Sequence, residues 1–317
     1  MVHSINQVKG VQTTSNILMV RPASFGFNPE TASTNSFQKK GDVHRESLRK
    51  KVSKEFDNMV QTLRNHQVNV IVCDDSKEPE KPDAIFPNNW ISTHNDGTVM
   101  LYPMFAQNRR AERSLPVIDI LLKQFKVTAI HNWSWMEGLP AFLEGTGSMV
   151  FDHVNKIAFA SESQRTSSSA FKIFCKAIQY RALLFGAIGQ DDQPIYHTNV
   201  LLSVGTDVAV VCSECISRNK NVVLERLSET KKLVIEISID QMNAFAGNML
   251  EVKNNAGDSL MILSDSAYNA LKNSQRKSLK KYVKLVPIPV ATIENYGGGS
   301  VRCMMAEIFL TPIAKSA

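Results

Sequence analysis

The sequence predicts a single α/β domain built from repeated small units. Short apolar runs rich in Val and Ile alternate with amphipathic helical patterns along the whole chain. The predicted elements recur in the order strand, strand, helix, strand, which indicates ββαβ-like units. No linker rich in Pro or Ser divides the chain. We therefore expect one domain over residues 1–317, with residues 1–14 as a flexible N-terminal tail.

The strands are predicted where β-branched residues form a short run bounded by Asn, Asp, Ser or Gly. In chain order these runs are Asn16–Val20, Asn69–Cys73, Thr98–Tyr102, Lys126–Ile130, Asn199–Ser203, Asp207–Cys212, Leu233–Ser238, Ser259–Ser264 and Tyr282–Pro287.

The helices are predicted from apolar residues that recur every three or four positions. The longest stripe comprises Leu48, Val52, Phe56, Met59 and Leu63, and shorter ones cover Phe171–Ile178, Val223–Leu227 and Tyr268–Leu271. Ser264, just before the last stripe, is a residue type that favours a helix N-cap.

Composition and charge indicate an ordinary globular protein. Apolar residues make up 43% of the 317 residues and charged residues 21%. The net charge of +6 is spread over short Lys/Arg clusters rather than one basic stripe, which disfavours a nucleic-acid partner. No apolar run approaches the ~18 residues needed to cross a bilayer. A cleft that attracts a carboxylate remains compatible with this charge.

The cysteines indicate a reducing compartment. Cys73, Cys175, Cys212, Cys215 and Cys303 are odd in number and irregular in spacing, unlike a disulfide framework. The N-terminus carries no apolar signal-peptide core, so we expect a cytoplasmic protein. Cys212 and Cys215 lack a second metal-binding pair, and Cys212 ends a predicted strand rather than starting a helix, so neither zinc binding nor a redox role is favoured.

Cys303 stands apart from the other cysteines. It follows Gly297-Gly298-Gly299-Ser300, a segment whose backbone can adopt positive φ and approach a ligand closely. A thiol delivered in this way can face a cleft, so we predict that Cys303 is a nucleophile.

Two other segments could supply its partners. Glu144 precedes Gly145-Thr146-Gly147, and His197 precedes an apolar run at Val200–Leu202. An imidazole titrates near ~6.5 and can serve as a general base. Taken alone, each residue is more often an ordinary surface group. His197 is selected over the other histidines because its placement at a strand entrance matches that of Glu144 and Cys303.

A third segment, Asp83–Trp90, places amides between aromatic rings. Pro87 restricts the backbone before Asn88 and Asn89. We predict that these amides, with Phe86, contact a planar polar group of a substrate.

Together these segments resemble the pentein, or amidinotransferase and guanidine-modifying, superfamily, and within it the arginine-deiminase-related CtlX group associated with citrulline use. The resemblance extends from Met19-Val20-Arg21-Pro22 to Cys303. It implies a fivefold pseudosymmetric α/β-propeller with the active site on its axis. It also implies Cys303 as nucleophile, His197 as acid/base and Glu144 as the carboxylate that holds substrate N–H groups, with no metal or organic cofactor.

The sequence departs from the deiminase pattern at Asn88 and Asn199, where that pattern has aspartates. An amide removes the negative charge but keeps an acceptor and adds donors. This favours a neutral ureido group, as in citrulline, over a guanidinium. We expect a cysteine hydrolase that acts on the C–N bond of a ureido or guanidino compound, with a protonated His197 or a cationic substrate favouring the thiolate.

Two alternatives stay open. An amidinotransferase would use the same three residues and pass the covalent intermediate to an amine. A non-catalytic binding protein, like the ribosome anti-association factors of this fold, would not need Cys303, His197 and Glu144, which the chain retains. Whether the chain forms a homo-oligomer also stays open.

A substrate carboxylate would require a basic residue. The candidates are Arg21, Arg109, Arg165 and Arg302; we disfavour Arg302 because on a strand it would face away from Cys303. The segment Phe25–Gln38, rich in Asn, Ser and Thr, is either a lid over the site or a surface loop.

Overall fold

The computed structural model describes residues 10–41, 44–190 and 192–314. Its strands are β1 Asn16–Arg21, β2 Asn69–Asp74, β3 Ile91–Thr93, β4 Thr98–Leu101, β5 Ala129–Asn132, β6 Met149–Asp152, β7 Ile157–Ser161, β8 Arg181–Ala187, β9 Leu202–Val204, β10 Val208–Val211, β11 Ile216–Arg218, β12 Leu233–Glu236, β13 Leu250–Lys253, β14 Ser259–Ser264, β15 Lys284–Ile288 and β16 Ala306–Glu307. Its α-helices are α1 Pro29–Ala32, α2 Arg45–Asn65, α3 Leu115–Gln124, α4 Gly145–Ser148, α5 Ser168–Ala177, α6 Lys220–Glu229, α7 Ile239–Asn243, α8 Asp265–Ala270, α9 Asn273–Leu279 and α10 Ala291–Gly297.

Within these residues the strands form five small sheets that share one pattern. Each sheet contains an antiparallel pair and a third strand that runs parallel to the middle strand, as in β3, β4 and β5. Antiparallel neighbours can be joined by a short turn, whereas parallel neighbours require a crossover, here through helices such as α3. The predicted α/β class and ββαβ order are confirmed.

The first sheet joins the two ends of the described chain. Strand β1 pairs in parallel with β2 and antiparallel with β16. The last unit is therefore completed by strands from the beginning of the chain. The sheet of β6, β7 and β8 gains an additional edge strand, β11.

The long predicted helix is confirmed as α2, whose apolar stripe packs into a core cluster with β1 and β15. Phe56, Met59 and Leu63 on this stripe are fully buried. Ser264 is the N-cap of α8, as predicted, because its hydroxyl accepts a bond from the backbone N–H of Ala267.

Several strands differ from the prediction. The run predicted from Lys126 pairs only from Ala129 onward, and the run predicted from Asn199 begins with a 3₁₀ turn before β9. The sequence reading missed β3, β6, β7, β8, β11, β13 and β16. Strand β7 is buried on both faces, so it lacks the apolar–polar alternation of a half-buried strand, and β13 alternates over only four residues.

The predicted N-terminal tail is wrong in its described part. Gln12 is buried, and its amide donates to the carbonyls of Phe151 at 3.0 Å and Val204 at 3.1 Å. Its carbonyl oxygen accepts from the backbone N–H of His153. These bonds hold the chain before β1 against two other units. Residues 1–9 of the predicted tail lie outside the described residues.

Cys212 and Cys215 belong to the core. Both are buried, and the thiol of Cys215 donates to the carbonyl of Cys212. In the described part of the chain no helix is long and apolar enough to cross a membrane.

Candidate active site

Each of the five sheets is preceded by a short polar segment at the entrance to its first strand. These segments are residues 86–90 before β3, 144–148 before β6, 197–201 before β9, 246–249 before β13 and 298–305 before β16. They contact one another although they lie far apart in sequence. The repeated architecture therefore brings equivalent positions of all five units to one place.

Glycines allow two of these segments to meet. Gly145 has φ of +46°, and a Cβ there would lie 2.3 Å from the carbonyl oxygen of Asn88. A Cβ on Gly147 would lie 2.5 Å from the side-chain nitrogen of Asn89 and 2.7 Å from the ring of His197. Only a residue without a side chain fits at either position. The Gly-x-Gly pattern therefore serves close backbone packing at the site.

Cys303 lies in a turn after α10, not on a strand. The chain leaves α10 through Gly298 in the left-handed conformation, and the backbone N–H of Cys303 donates to the carbonyl of Ser300. The Cys303 side chain is 3% exposed. Its sulfur lies 3.4 Å from the side-chain nitrogen of Asn248 and 3.6 Å from that of Asn199. The side-chain oxygens of the same two amides lie slightly farther away, at 3.8 Å for Asn248 and 3.9 Å for Asn199.

The sequence reading missed Asn248. Its only signal was a Gly-Asn pair shortly before β13, in the segment that precedes the first strand of its unit. Asn248 also accepts a hydrogen bond from the backbone N–H of Arg302. It therefore contacts both the sulfur and the backbone of residues 298–305, the segment that we call the cysteine turn.

His197 and Glu144 form a buried pair. The His197 Nε2 lies 2.8 Å from Glu144 Oε2, and the backbone N–H of Phe105 donates to Glu144 Oε1. A carboxylate at this distance assigns the proton to Nε2 and leaves Nδ1 as an acceptor. Both oxygens of Glu144 thus have partners within the protein. Its observed contact is to the imidazole, whereas the sequence predicted that it holds substrate N–H groups.

The pKa values of this pair follow from burial and two arginines. Burial alone would raise the pKa of Glu144, but Arg165, His197 and Arg109 lower it to about 2. Burial lowers the pKa of His197 to about 4, although the bond to Glu144 opposes that change. His197 is therefore neutral at pH 7. The direction of this shift disfavours a protonated His197 as the group that favours the thiolate in the free protein.

The predicted substrate-binding residues divide into two layers. Phe86 and Asn89 line the same cavity as Cys303 and His197. Asn88 lies behind them, where its amide donates to Thr146 Oγ1 at 3.2 Å. Asn199 contacts the sulfur itself. Asn89, rather than Asn88, therefore faces the cavity.

Asp83 also lines this cavity, and the sequence reading did not select it. It is 3% exposed, and its Oδ2 accepts from the side-chain amide of Asn28 at 2.7 Å. Its Oδ1 has no hydrogen-bond partner among the described residues. A buried carboxylate oxygen without a partner is costly in an empty site. Its sequence signal was weak, because aspartate at the start of a turn is common.

Two of the four candidate arginines lie at the site. Arg109 donates from Nε and Nη2 to the two carboxylate oxygens of Glu112, at 2.8 and 2.9 Å. Its Nη1 donates to Asn89 Oδ1. Arg165 stacks on the ring of Tyr196 at 4.8 Å and lies 3.7 Å from Glu144. A carboxylate therefore binds the Arg109 guanidinium on two sides, whereas the Arg165 guanidinium is not bound in this way.

The other two arginines lie elsewhere. Arg21 pairs with Asp57 and Asp74 at the surface. Arg302 donates to the carbonyl of Met305 and pairs with Glu307. These contacts occupy the Arg302 guanidinium. The sequence disfavoured Arg302 because on a strand it would face away from Cys303, but Arg302 lies in a turn, so its own contacts and not a strand are the reason.

The segment predicted as a lid or a surface loop packs over the site. Asn35 lines the cavity, and its amide lies 3.4 Å from the carbonyl oxygen of Gly298. The guanidinium of Arg165 donates to the carbonyl of Thr31 and the hydroxyl of Thr34. The segment therefore forms part of the wall around Cys303.

The cavity at Cys303 is small, about 10 Å³. A larger one of about 520 Å³ lies beyond Tyr196, bounded by Phe37, Phe245 and Glu294. It contains none of the predicted catalytic residues, so size does not identify the reactive cavity. In the part of the chain described here, no cluster of His, Cys, Asp or Glu could hold a metal ion.

The low pKa of His197 predicts a loss of stability in acid. In the unfolded chain an imidazole binds its proton near pH ~6.5, whereas folded His197 does so near pH 4. Stability is therefore lost as the pH falls from about 6.5 towards 4, by on the order of 2–3 kcal/mol at most. We expect His197→Gln to lose less stability over this interval, measured by urea unfolding at pH 7 and pH 4.5.

His94 and His153 also have pKa values lowered by burial. Both remain in the His197→Gln variant, so the difference between the two proteins isolates His197. Equal losses in the two proteins would contradict the prediction.

Comparisons with known proteins agree with this architecture. Residues 21–310 match the family model described as N,N dimethylarginine dimethylhydrolase, eukaryotic. No individual curated protein sequence matches the chain significantly.

Solved structures show the same fold at low sequence identity. The N-terminal domain of ArgZ, an arginine dihydrolase of the ornithine–ammonia cycle in cyanobacteria, was solved with bound substrate; it matches with a TM-score of 0.73 and 16% identity over 93% of this chain and 99% of that chain. The match to apo ArgZ has a TM-score of 0.73 and 17% identity, and covers 95% of this chain but only 41% of that protein. DDAH from Pseudomonas aeruginosa in complex with citrulline matches with a TM-score of 0.66 and 12% identity, over 94% and 100% of the two chains. Because the family model covers nearly the whole chain, this protein belongs to the N,N dimethylarginine dimethylhydrolase, eukaryotic, family.

Proposed function

We propose that this protein is a hydrolase that cleaves a C–N bond of a guanidino compound through a covalent bond to Cys303. The observation that carries the proposal is the cavity that Cys303 and His197 share with Asp83, whose carboxylate oxygen Oδ1 has no hydrogen-bond partner in the described part of the chain. A nucleophile, a base and an unfilled acceptor are the groups that such a reaction requires. We also infer that the five sheets surround this cavity as the blades of a fivefold pseudosymmetric α/β-propeller.

One charge of the cavity, the carboxylate of Asp83, favours a cationic substrate group, although Arg109 lies 3.6 Å from it. The asparagines at positions 88 and 199 suggested a neutral ureido group, but Asp83 supplies a carboxylate from another position. A guanidinium pairs with carboxylates through charge-assisted bonds. In the proposed complex, Asp83 Oδ1 would accept a hydrogen bond from an N–H group of the guanidinium. This buried oxygen, which has no partner among the described residues, would then have one.

Arg165 is our choice for the substrate carboxylate. Apart from its approach to Glu144, it is surrounded by uncharged acceptors and an aromatic ring. Arg109 is less suitable because Glu112 already binds its guanidinium on two sides. The substrate would then be an amino acid with a terminal guanidino group, such as arginine or an N-methylated arginine.

The reaction would proceed in two steps. The Cys303 sulfur attacks the guanidino carbon, its proton passes to the neutral His197, and the amine leaves after it takes that proton. Water then attacks the carbon, again with His197 as base, and the thiol is restored as a ureido compound departs. Neutral His197 and the cationic substrate are consistent with this order, since the substrate brings the positive charge that favours the thiolate.

The comparisons support the substrate class. The family name refers to dimethylarginine, and the similar structures contain the substrate of an arginine dihydrolase or citrulline. A second candidate is further hydrolysis of the ureido product to ornithine. It is favoured by the amides of Asn199 and Asn248 beside the sulfur, which could bind a ureido oxygen.

The test is a substrate panel of arginine, mono- and dimethylated arginine, agmatine and citrulline. Methylamines, ammonia, citrulline and ornithine are quantified with and without an added acceptor amine. We expect turnover of a guanidino amino acid without an acceptor, and little turnover of agmatine, which lacks the carboxylate. Strict dependence on an acceptor would identify an amidinotransferase. Turnover of citrulline alone would support the citrulline-utilising group, and no turnover at all would contradict the proposal.

Asp83→Asn is expected to raise KM for the guanidino substrate about 10-fold or more, because a charge-assisted hydrogen bond is worth roughly 1.5–3 kcal/mol. Turnover of a ureido substrate should change little. Steady-state kinetics on both substrates measures the difference. Asp119→Asn, an exposed change on α3, is the matched control. An unchanged KM would mean that Asp83 does not bind the guanidino group.

A further inference from the structure

The geometry points to Glu294 as a positioning residue that holds the cysteine turn through the hydroxyl of Ser300. This inference rests on the proposed role of Cys303 as nucleophile. Glu294 lies on α10, is 5% exposed and contacts no predicted catalytic group directly. Nothing in the reaction scheme uses its carboxylate.

The carboxylate of Glu294 interacts with three serines, Ser264, Ser266 and Ser300, and its two shortest bonds go to the last two. Its Oε1 accepts from the hydroxyl of Ser300 at 2.6 Å, and its Oε2 accepts from the hydroxyl of Ser266 at 2.7 Å. Ser300 is fully buried. Ser266, on α8, connects Glu294 to the neighbouring unit and does not contact the cysteine turn. The two bonds are of similar length but lead to different parts of the molecule.

The turn needs such a restraint because of its composition. Gly297, Gly298 and Gly299 have more backbone freedom than other residues and cannot fix the path of the chain by themselves. The backbone N–H of Gly298 donates to the carbonyl of Glu294, and Ser300 is held by its carboxylate. Ser300 in turn accepts from the backbone N–H of Cys303 at 3.0 Å. Glu294 therefore holds the glycine segment at both ends, and Ser300 connects it to the nucleophile.

Helix α10 is itself anchored. The carboxylate oxygens of Glu55, on α2, accept from the backbone N–H groups of Thr292 at 2.9 Å and Ile293 at 3.0 Å. These are unpaired donors of the first helical turn, so the contact fixes this end of the helix. At the other end, Tyr196 donates its hydroxyl to the carbonyl of Gly298. Glu294 therefore lies on a helix that is held at both ends. Its bond to Ser300 can fix the cysteine turn relative to that helix.

The test compares two serines that bind the same carboxylate. Ser300→Ala is expected to lower kcat about 10- to 100-fold with KM changed less than about two-fold, because a small displacement of a nucleophile costs this much. Ser266→Ala removes an equally short bond and should leave kcat within about two-fold. Thermal unfolding of both variants measures what each bond contributes to stability. Glu294→Gln retains one acceptor oxygen and should have an intermediate kcat.

A second readout does not depend on knowing the substrate. The rate at which iodoacetamide alkylates Cys303, located by peptide mass analysis, should change in Ser300→Ala and Glu294→Gln but not in Ser266→Ala. If both serine variants change kcat and alkylation equally, Glu294 is only structural and the inference is overturned. If Cys303→Ser itself retains turnover, the proposed function fails instead, whatever the serine variants do.

Discussion

Replacement of Cys303 by serine is expected to lower kcat for the guanidino substrate on the order of 10⁴-fold or more, as removal of a covalent nucleophile does in other enzymes. Serine keeps the size of the side chain, so the buried turn should fold as before. In the wild-type protein, mixing with substrate followed by an acid quench should trap a covalent adduct. Intact-protein mass spectrometry should find this adduct in the wild type and not in the variant.

Cys212→Ser is the matched control, because Cys212 is also buried but does not line the cavity of Cys303 and His197. It should retain the adduct and most of the turnover. An adduct that persists in Cys303→Ser would show that another residue is the nucleophile. Unchanged kcat in that variant would contradict the covalent mechanism altogether.

His197→Gln is expected to lower kcat about 10²- to 10⁴-fold, the range typical of a lost general acid–base residue. Glutamine can still donate to Glu144 but cannot exchange a proton with the sulfur or with water. Because the pKa of His197 in the free protein is about 4, kcat/KM of the wild type should stay constant as the pH falls to about 5 and then decline through 4. The variant should lack this acidic decline.

Glu144→Gln distinguishes the two roles of the pair. If Glu144 orients the imidazole, as its 2.8 Å contact to His197 indicates, its loss should lower kcat more than it raises KM. A rise in KM alone would instead mean that Glu144 binds the substrate, as the sequence resemblance implied. If Glu144→Gln and His197→Gln lost activity only because they do not fold, their unfolding curves would show it.

The sequence was informative wherever one element carries its own pattern. The stripe on α2 predicted a helix because apolar residues that recur at helical spacing bury one face whatever they pack against. Ser264 predicted a helix start because a cap is a contact between neighbours in the chain. Strand β7 lacks such a pattern, because its burial on both faces depends on partners from other parts of the chain.

The candidate site divides along the same line. Cys303, His197 and Glu144 could be selected from the sequence by residue type, their position before apolar runs and their resemblance to a family pattern. Asp83 and Asn248 were not selected, because ordinary turns contain the same residue types, and Arg165 could be named only as one of four candidate arginines. Only the packing leaves Asp83 Oδ1 without a partner, places Asn248 at the sulfur and sets Arg165 beside Glu144.

The sequence by itself determined the α/β class, the order of the units and the residue types available for catalysis, because these depend on periodicity and on short-range chemistry. The tertiary structure alone decided which amide faces the cavity, that His197 is neutral and that a carboxylate from residue 83 complements the asparagines. Whether a side chain is buried, whether it is charged and whether an acceptor finds a hydrogen-bond donor all depend on the distances between segments that are remote in sequence. No local pattern encodes those distances.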